Sequence, residues 1–212
     1  MKMKIAVIGA NGKAGHLIVQ EALDRGHEVM AIVRDRNKVD VNLNVLEKDI
    51  LSLDCDDLKD LDVLINAMGA GTQDPIIYQD ATKHLIEVFV DLPKLRYLVV
   101  GGAGSLFTDS TMANSLYETE HFPKSIYPTA MNMAKALELL RDSPILWTFF
   151  SPAIQFDSNG RKTGKYQLGS EWVILNQAGD SYISYPDYVM ALFDEVEHPR
   201  FICKRFTAVG ER

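Results

Sequence analysis

The chain is poor in the features that mark several whole classes of protein. Only two cysteines occur in 212 residues, Cys55 and Cys203, far apart and outside any metal-like spacing. Neither a disulfide framework nor a cysteine metal centre is implied, and a reducing compartment fits. Positive charge is in deficit: 22 Lys and Arg stand against 29 Asp and Glu, a formal net charge of −7. That balance argues against a chain whose main work is gripping nucleic acid, since phosphates demand a basic face. Long apolar runs are absent, so no stretch is expected to span a membrane. The opening run Ile5–Ile8 breaks at Asn11-Gly12-Lys13, too short for the apolar segment of a signal peptide. The histidines show no ligand spacing, so no metal site is expected. A cytoplasmic protein without nucleic-acid or membrane partners is the resulting expectation.

What the chain has is apolar material, 47% of its residues, enough at this length for one domain with a large core. Strand-like runs recur at Lys4–Gly9, Glu28–Val33, Val45–Lys48, Val63–Ala67, Tyr97–Gly101 and Leu146–Phe150. Most are uninterrupted, as in strands covered on both faces. Helical spacing lies between most of them, at Lys13–Arg25, Pro75–Asp91, Thr129–Arg141 and Pro186–Glu197, with a short turn near Asp54–Leu58. The alternation predicts an α/β fold over 1–212: a doubly wound parallel sheet, helices on both faces, and a small C-terminal elaboration on the substrate side. Turn-rich segments at about 102–128 and 151–180 follow strands at the carboxyl edge, where such folds bind ligands, and are the expected substrate walls. Asn159-Gly160 reads as a hairpin turn.

The most informative stretch is the first strand and the turn after it, Gly9-Ala10-Asn11-Gly12-Lys13-Ala14-Gly15. Glycines at this spacing allow a tight turn, a close backbone approach to a pyrophosphate and close helix–strand packing, while the helix start offers free N–H groups and partial positive charge. The second strand ends at Arg34, where an NAD-preferring site usually places an acid for the ribose 2′-hydroxyl. Arginine suits a 2′-phosphate, so NADP(H) is expected before NAD(H), with Lys13, Arg36 and Lys38 as candidate added charge; Asp35 is the competing acid one residue on. Asp49-Ile50 is expected over the adenine edge, with a turn cap as the alternative role for Asp49. Asn66-Ala67-Met68-Gly69-Ala70-Gly71 closes the fourth strand beside the nicotinamide ribose, where a bulky side chain would block the cofactor.

These segments resemble the atypical short-chain dehydrogenase/reductase superfamily, and within it small proteins provisionally described as NADH-flavin reductases. The likeness spans nearly the whole chain. It rests on GANGKAG (9–15), RGHEVMAIVRD (25–35), LVVGGAGSL (98–106), YPTAMNMAK (127–135), SPAIQF (151–156), GRKTGKYQ (160–167) and SYISYPDYVMALFDE (181–195). It extends more loosely to biliverdin-IX-β reductase and to nucleotide-sensing regulators of the nitrogen-repression type. The resemblance implies a Rossmann NAD(P)-binding domain, a serine at Ser105, and a Ser151-Pro152 turn bracketing the nicotinamide. It leaves a homodimer as a candidate assembly.

Catalytic members of that superfamily use a tyrosine with a lysine four residues on, one helical turn away, to move a proton. No tyrosine of this chain has that partner: Tyr127 is followed at that distance by Met131 and Tyr117 by His121, while Lys135 lies eight residues past Tyr127. Pro128 is expected to open the helix, with Tyr127 just before it. Ketone reduction and sugar epimerisation lose their acid; hydride transfer to a flavin does not need one, because the ring spreads the charge and solvent supplies the proton. The candidate catalytic residues are therefore Ser105, Tyr127 and Lys135, with a cap and a solvated helix lysine as the plainer roles of the first and last. Phe107, Tyr127 and Phe156 are the candidate acceptor wall. Arg161, Lys162 and Lys165 are either a grip for a flavin phosphate or a solvated tip.

The leading expectation is an NAD(P)H-dependent reductase taking FMN, FAD or a quinone as substrate rather than as prosthetic group. The alternative is a non-catalytic NADP(H)-sensing module. An epimerase or dehydratase, with Tyr117, His121 or Tyr127 as substitute acid, ranks third.

Overall fold

A computed structural model describes residues 2–39, 42–70 and 74–212; Gly71 lies outside the described residues. Five parallel strands alternate with helices to begin with: β1 (Lys4–Ile8), α1 (Lys13–Asp24), β2 (Glu28–Val33), β3 (Asn44–Glu47), α2 (Cys55–Leu58), β4 (Val63–Asn66), α3 (Ile77–Val90) and β5 (Arg96–Val100). They are followed by α4 (Tyr127–Arg141), β6 (Leu146–Ser151), β7 (Gln155–Asp157), β8 (Tyr166–Gly169), β9 (Tyr182–Ser184), α5 (Tyr185–Glu197) and β10 (Lys204–Gly210). The main sheet runs β3-β2-β1-β4-β5-β6-β10-β8, all parallel except β8 against β10. The order 3-2-1-4-5-6 is that of a dinucleotide-binding Rossmann sheet, with its reversal between β1 and β4.

Alternate strand residues feed two cores, as a two-residue period requires. Ile5 and Val7 of β1 join Ile18, Val19 and Ala22 of α1 and Tyr188, Leu192 and Val196 of α5. Ala6 and Ile8 go to the opposite face, with Leu85 and Phe89 of α3 and Leu137 and Leu140 of α4. Beneath α5 the rings of Phe150, Tyr188 and Phe206 stack at 3.9 and 4.0 Å between centroids, and the Tyr188 hydroxyl donates to the Phe150 carbonyl at 2.8 Å. An aromatic stack with its one polar tip satisfied locks β6, β10 and α5 together.

The helices and strands expected from periodicity are present with shifted ends, and three readings need correcting. Tyr127 is the first residue of α4, not the residue before it: Pro128 occupies the second helical position, where its missing N–H costs nothing. Asn159-Gly160 does not turn a hairpin. Asp157 captures the Asn159 N–H at 2.8 Å and the Tyr182 hydroxyl at 3.1 Å, and β7 pairs in parallel with β9. β10, inserted between β6 and β8, went unpredicted, because charged Lys204-Arg205 masks the short apolar run that follows.

One buried carboxylate pins the middle of the elaboration at 152–184 to α5. Asp187, fully buried in the first turn of α5, accepts from Thr163 N at 2.9 Å, Gly164 N at 3.0 Å and Thr163 Oγ1 at 2.6 Å. Its own N–H donates to Ser184 Oγ, the cap of that helix, and the helix dipole favours an anion there. Asp187→Ala would leave these donors unpaired, at about 2–4 kcal/mol. The expected outcome is a melting temperature lower by roughly 5–12 °C in thermal unfolding; a drop below about 2 °C would mean the segment is held by other contacts.

Candidate nucleotide-binding site

The site is assembled from the turn between β1 and α1. Gly9 has φ +74°, and a Cβ added there would sit 2.8 Å from the Ala67 carbonyl oxygen. A Cβ on Gly15 would fall inside the radius of the Gly9 carbonyl oxygen, so α1 can pack this closely on β1 only with glycine at that position. Gly12 is the residue before the helix. Its N–H donates to the Gly9 carbonyl at 2.8 Å, no side chain caps the helix, and no acid stands in its first turn. The N–H groups of Lys13 and Ala14, which have no intrahelical acceptor, are left for an anion.

A cleft of about 240 Å³ opens in front of this turn along the carboxyl ends of β1, β2, β3 and β4. Nine of the expected cofactor residues line it: Gly9, Asn11, Gly12, Arg34, Asp49, Ile50, Ala67, Met68 and Gly69. Four do not. Lys13 and Ala14 belong to the helix start, and Gly15 is buried beneath it. Ser151 ends β6, three strands along from β1, fully buried and with no partner for its hydroxyl among the described residues.

The charges at the rim are sorted by hydrogen bonding. Arg34 is exposed, lines the cleft, and has no hydrogen-bond or ion-pair partner among the described residues. The competing Asp35 is spent on local structure: it accepts from Asn37 N at 3.1 Å and pairs with Lys38 at 3.2 Å, and the backbone donor of Asn37 holds its carboxyl below the usual range. Lys38 is thereby engaged, and Arg36 donates to the Val45 carbonyl at 3.1 Å, so neither is the free charge at the cleft. Asp49 lines the cleft and accepts from Leu51 N at 3.0 Å as a turn cap.

The loop after β4 is preorganised by polar groups the sequence reading missed. Asn66, nearly buried, accepts from Met68 N at 3.0 Å and donates to the hydroxyl of fully buried Tyr97 at 2.8 Å. Burial pushes the Tyr97 hydroxyl well up, so it stays neutral. Tyr78 of α3 accepts from Ala70 N at 3.0 Å. Asn66 closing a buried strand was the available signal, since a buried amide needs partners.

On the acceptor side the side chains are more committed than expected. The Ser105 hydroxyl is buried and accepts from Arg205 Nη1 at 3.0 Å, inside an ion pair of Arg205 with Glu171. Phe107 lies under the same arginine, 5.8 Å from guanidinium to ring centroid, and pairs with Trp172. Phe156 packs on Tyr185 at 4.0 Å and Tyr188 at 4.7 Å, against the core. Lys162 pairs with Glu21 at 2.8 Å, which occupies one of the three cations considered for a phosphate. Tyr127 remains 44% exposed, edge-on to Tyr117 at 6.0 Å. Lys135 is exposed on α4, eight residues on and so about 12 Å along the axis, beyond reach of the Tyr127 hydroxyl. Burial, with Glu118 and Glu138 nearby, pushes the Tyr117 hydroxyl up, which makes it a poorer acid.

Comparison with known proteins agrees with this geometry. Residues 9–184 match the NAD(P)H-binding family. The chain belongs to that family. An uncharacterised Bacillus subtilis protein, YwnB, is 48% identical over 211 residues, 99% of each chain. The crystal structure of a Streptococcus pneumoniae protein provisionally named an NADH-flavin reductase superposes with TM-score 0.92 at 42% identity, covering 99% of this chain and 100% of that one. A Bacteroides thetaiotaomicron protein provisionally named an epimerase gives TM-score 0.86 at 34% identity, with 100% of each chain covered. No helix among the described residues is long and apolar enough to cross a membrane.

Gly15→Ala tests the close approach directly. The added Cβ must push α1 off β1, so dinucleotide affinity is expected to fall at least about tenfold, for NADPH and NADH alike, as two or more backbone contacts to phosphate are lost. Fluorescence titration checks it. Unaltered affinity would place the phosphates elsewhere.

Proposed function

We propose that the protein is a reductase that passes hydride from NADPH to a flavin or a similarly planar acceptor such as a quinone, which binds as substrate and leaves. The observation that carries the coenzyme half is the unpartnered Arg34 beside an Asp35 already engaged. A planar guanidinium pairs with phosphate oxygens and lies against adenine, whereas an acid here would repel a 2′-phosphate. The fit to a dinucleotide is otherwise steric: glycine cradles that a Cβ would fill, an uncapped helix start, and small residues after β4.

The nicotinamide, when bound, supplies the hydride. The chain's own part is positioning. Gly9, Gly12 and the start of α1 hold the pyrophosphate, Arg34 fixes the adenosine end, and the loop from Ala67, braced by Asn66 and Tyr78, keeps the path to the acceptor side free of bulk. Separation of Tyr127 from Lys135 leaves no paired side chains to protonate a carbonyl oxygen, which favours an acceptor that takes hydride without one. The name of the Streptococcus pneumoniae relative points to the same chemistry with NADH; our preference for NADPH in this chain rests on Arg34.

The deciding assay follows NADPH consumption by the purified protein with FMN, FAD, riboflavin and a simple quinone in turn, with NADH alongside. Saturable turnover with one of them supports the reductase; tight NADPH binding without turnover on any would replace it with a nucleotide sensor. Arg34→Ala is expected to weaken NADPH binding roughly 10- to 100-fold, the loss of a charge-assisted pair, and NADH binding by less than about threefold. Equal losses for both would remove the coenzyme assignment.

A further inference from the structure

Lys48 follows β3 directly, and its N–H donates to the Val33 carbonyl at 2.9 Å, while Val33 and Glu47 are partners in the sheet. The residue after each strand end is therefore Arg34 on one side and Lys48 on the other, and both line the nucleotide cleft. Their charges are used differently. Arg34 has no partner among the described residues. The Lys48 ammonium donates to Asp54 Oδ2 at 2.9 Å and Asp57 Oδ2 at 2.5 Å.

Those two carboxylates also form the capping box of α2: Asp54 accepts from Asp57 N at 3.2 Å and Asp57 accepts from Asp54 N at 2.9 Å. Capping requires only an acceptor oxygen, which asparagine supplies as well as aspartate. The negative charges are not needed to cap a four-residue helix. Their added effect is to hold an ammonium that the backbone places beside Arg34. Asp57 is half-buried and Lys48 is 27% exposed at its side chain, so the pair is partly shielded from competing salt.

We infer that Lys48 is a latent second cation for the coenzyme's 2′-phosphate, and that Asp54 and Asp57, by holding its ammonium out of the cleft, set how strongly the site discriminates NADPH from NADH. The inference rests on the nucleotide reading above. In the resting arrangement the Lys48 ammonium is engaged by Asp54 and Asp57, while Arg34 lines the same cleft without a partner among the described residues.

The test titrates NADPH and NADH into the full-length protein at low salt and compares the ratio of their dissociation constants. In Asp54→Asn/Asp57→Asn the released ammonium is expected to raise that ratio about fivefold in favour of NADPH, the worth of one further charge contact near a surface. The gain is expected to shrink at high salt and to disappear when Lys48→Met is added. An unchanged or lower ratio in the double variant, with cooperative melting intact, overturns the inference. Should the double variant not fold, Lys48→Met alone decides: a ratio still close to that of the wild type supports sequestration, and one that collapses as far as in Arg34→Ala overturns it, because the ammonium would already be serving the phosphate. Wild-type protein that binds neither nucleotide removes both this inference and the reading beneath it. A wild type that prefers NADPH, with a flat ratio in the variants, removes this one alone.

Discussion

Everything at the nucleotide side depends on how closely α1 approaches β1. With the Gly15 Cα against the Gly9 carbonyl and Gly9 itself against the Ala67 carbonyl, three backbone segments meet with no side chain between them. That contact sets the direction of α1, and with it the opening of the helix start toward the cleft. It also fixes the height of the β4 loop relative to the β1 turn, since Ala67 N donates to Ile8 O at 3.0 Å across the same junction. The sheet order puts this junction at the strand reversal, where neighbouring connections leave in opposite directions and a gap is unavoidable. The cleft is thus a consequence of topology, and the glycines decide that it is shaped for backbone rather than side-chain recognition of phosphate.

Charge is then arranged by subtraction. Around the cleft stand Arg34, Asp35, Arg36, Lys38 and Lys48, a mixture that from composition alone has no clear sign. Among these five, local hydrogen bonding engages all but Arg34: Asp35 and Lys38 pair, Arg36 turns to the Val45 carbonyl, and Lys48 is taken by Asp54 and Asp57 at α2. An exposed pair contributes little to stability, so these contacts are better understood through what they leave unpaired. The same economy explains a chain of net charge −7 carrying an anion site: recognition needs one correctly placed cation and a row of N–H groups, not a basic surface.

Much of this was legible in the residues. Continuous apolar runs such as Ile5–Ile8 and Val63–Ile65 could only be doubly covered strands, and the glycine spacing after the first of them identified the turn. Arg34 was legible by its distance from that turn. What could not be read was pairing. Asn159-Gly160 has the residues of a hairpin, yet Asp157 and Tyr182 hold the chain in a parallel pair whose partner is 25 residues away, and turn chemistry carries no information about so remote a strand. Ser105 was sought as a catalytic group because of its position after β5; that Arg205, 100 residues later, would bury its hydroxyl follows from β10 entering the sheet beside β6. Long-range insertion of a strand changes which side chains are free, and no local period reports it.

That burial bears on what sort of catalyst the acceptor side can be. Arg205 ties Ser105 and Glu171 together, Glu171 also holds Arg141, and Phe107 lies over the guanidinium. The 102–128 excursion is therefore tied to the sheet at Ser105, whose hydroxyl and carbonyl both accept from Arg205. Tyr127 is exposed at the start of α4, but its helix places Lys135 two turns off and its ring neighbour is another phenol. A site without a tyrosine–lysine pair can still accelerate a reaction by holding two flat rings in register, which is the contribution that orientation alone makes. In the reductase we propose, the chemistry is limited to acceptors whose own electronic structure absorbs the hydride, and its reach among them is set by shape rather than by proton donors.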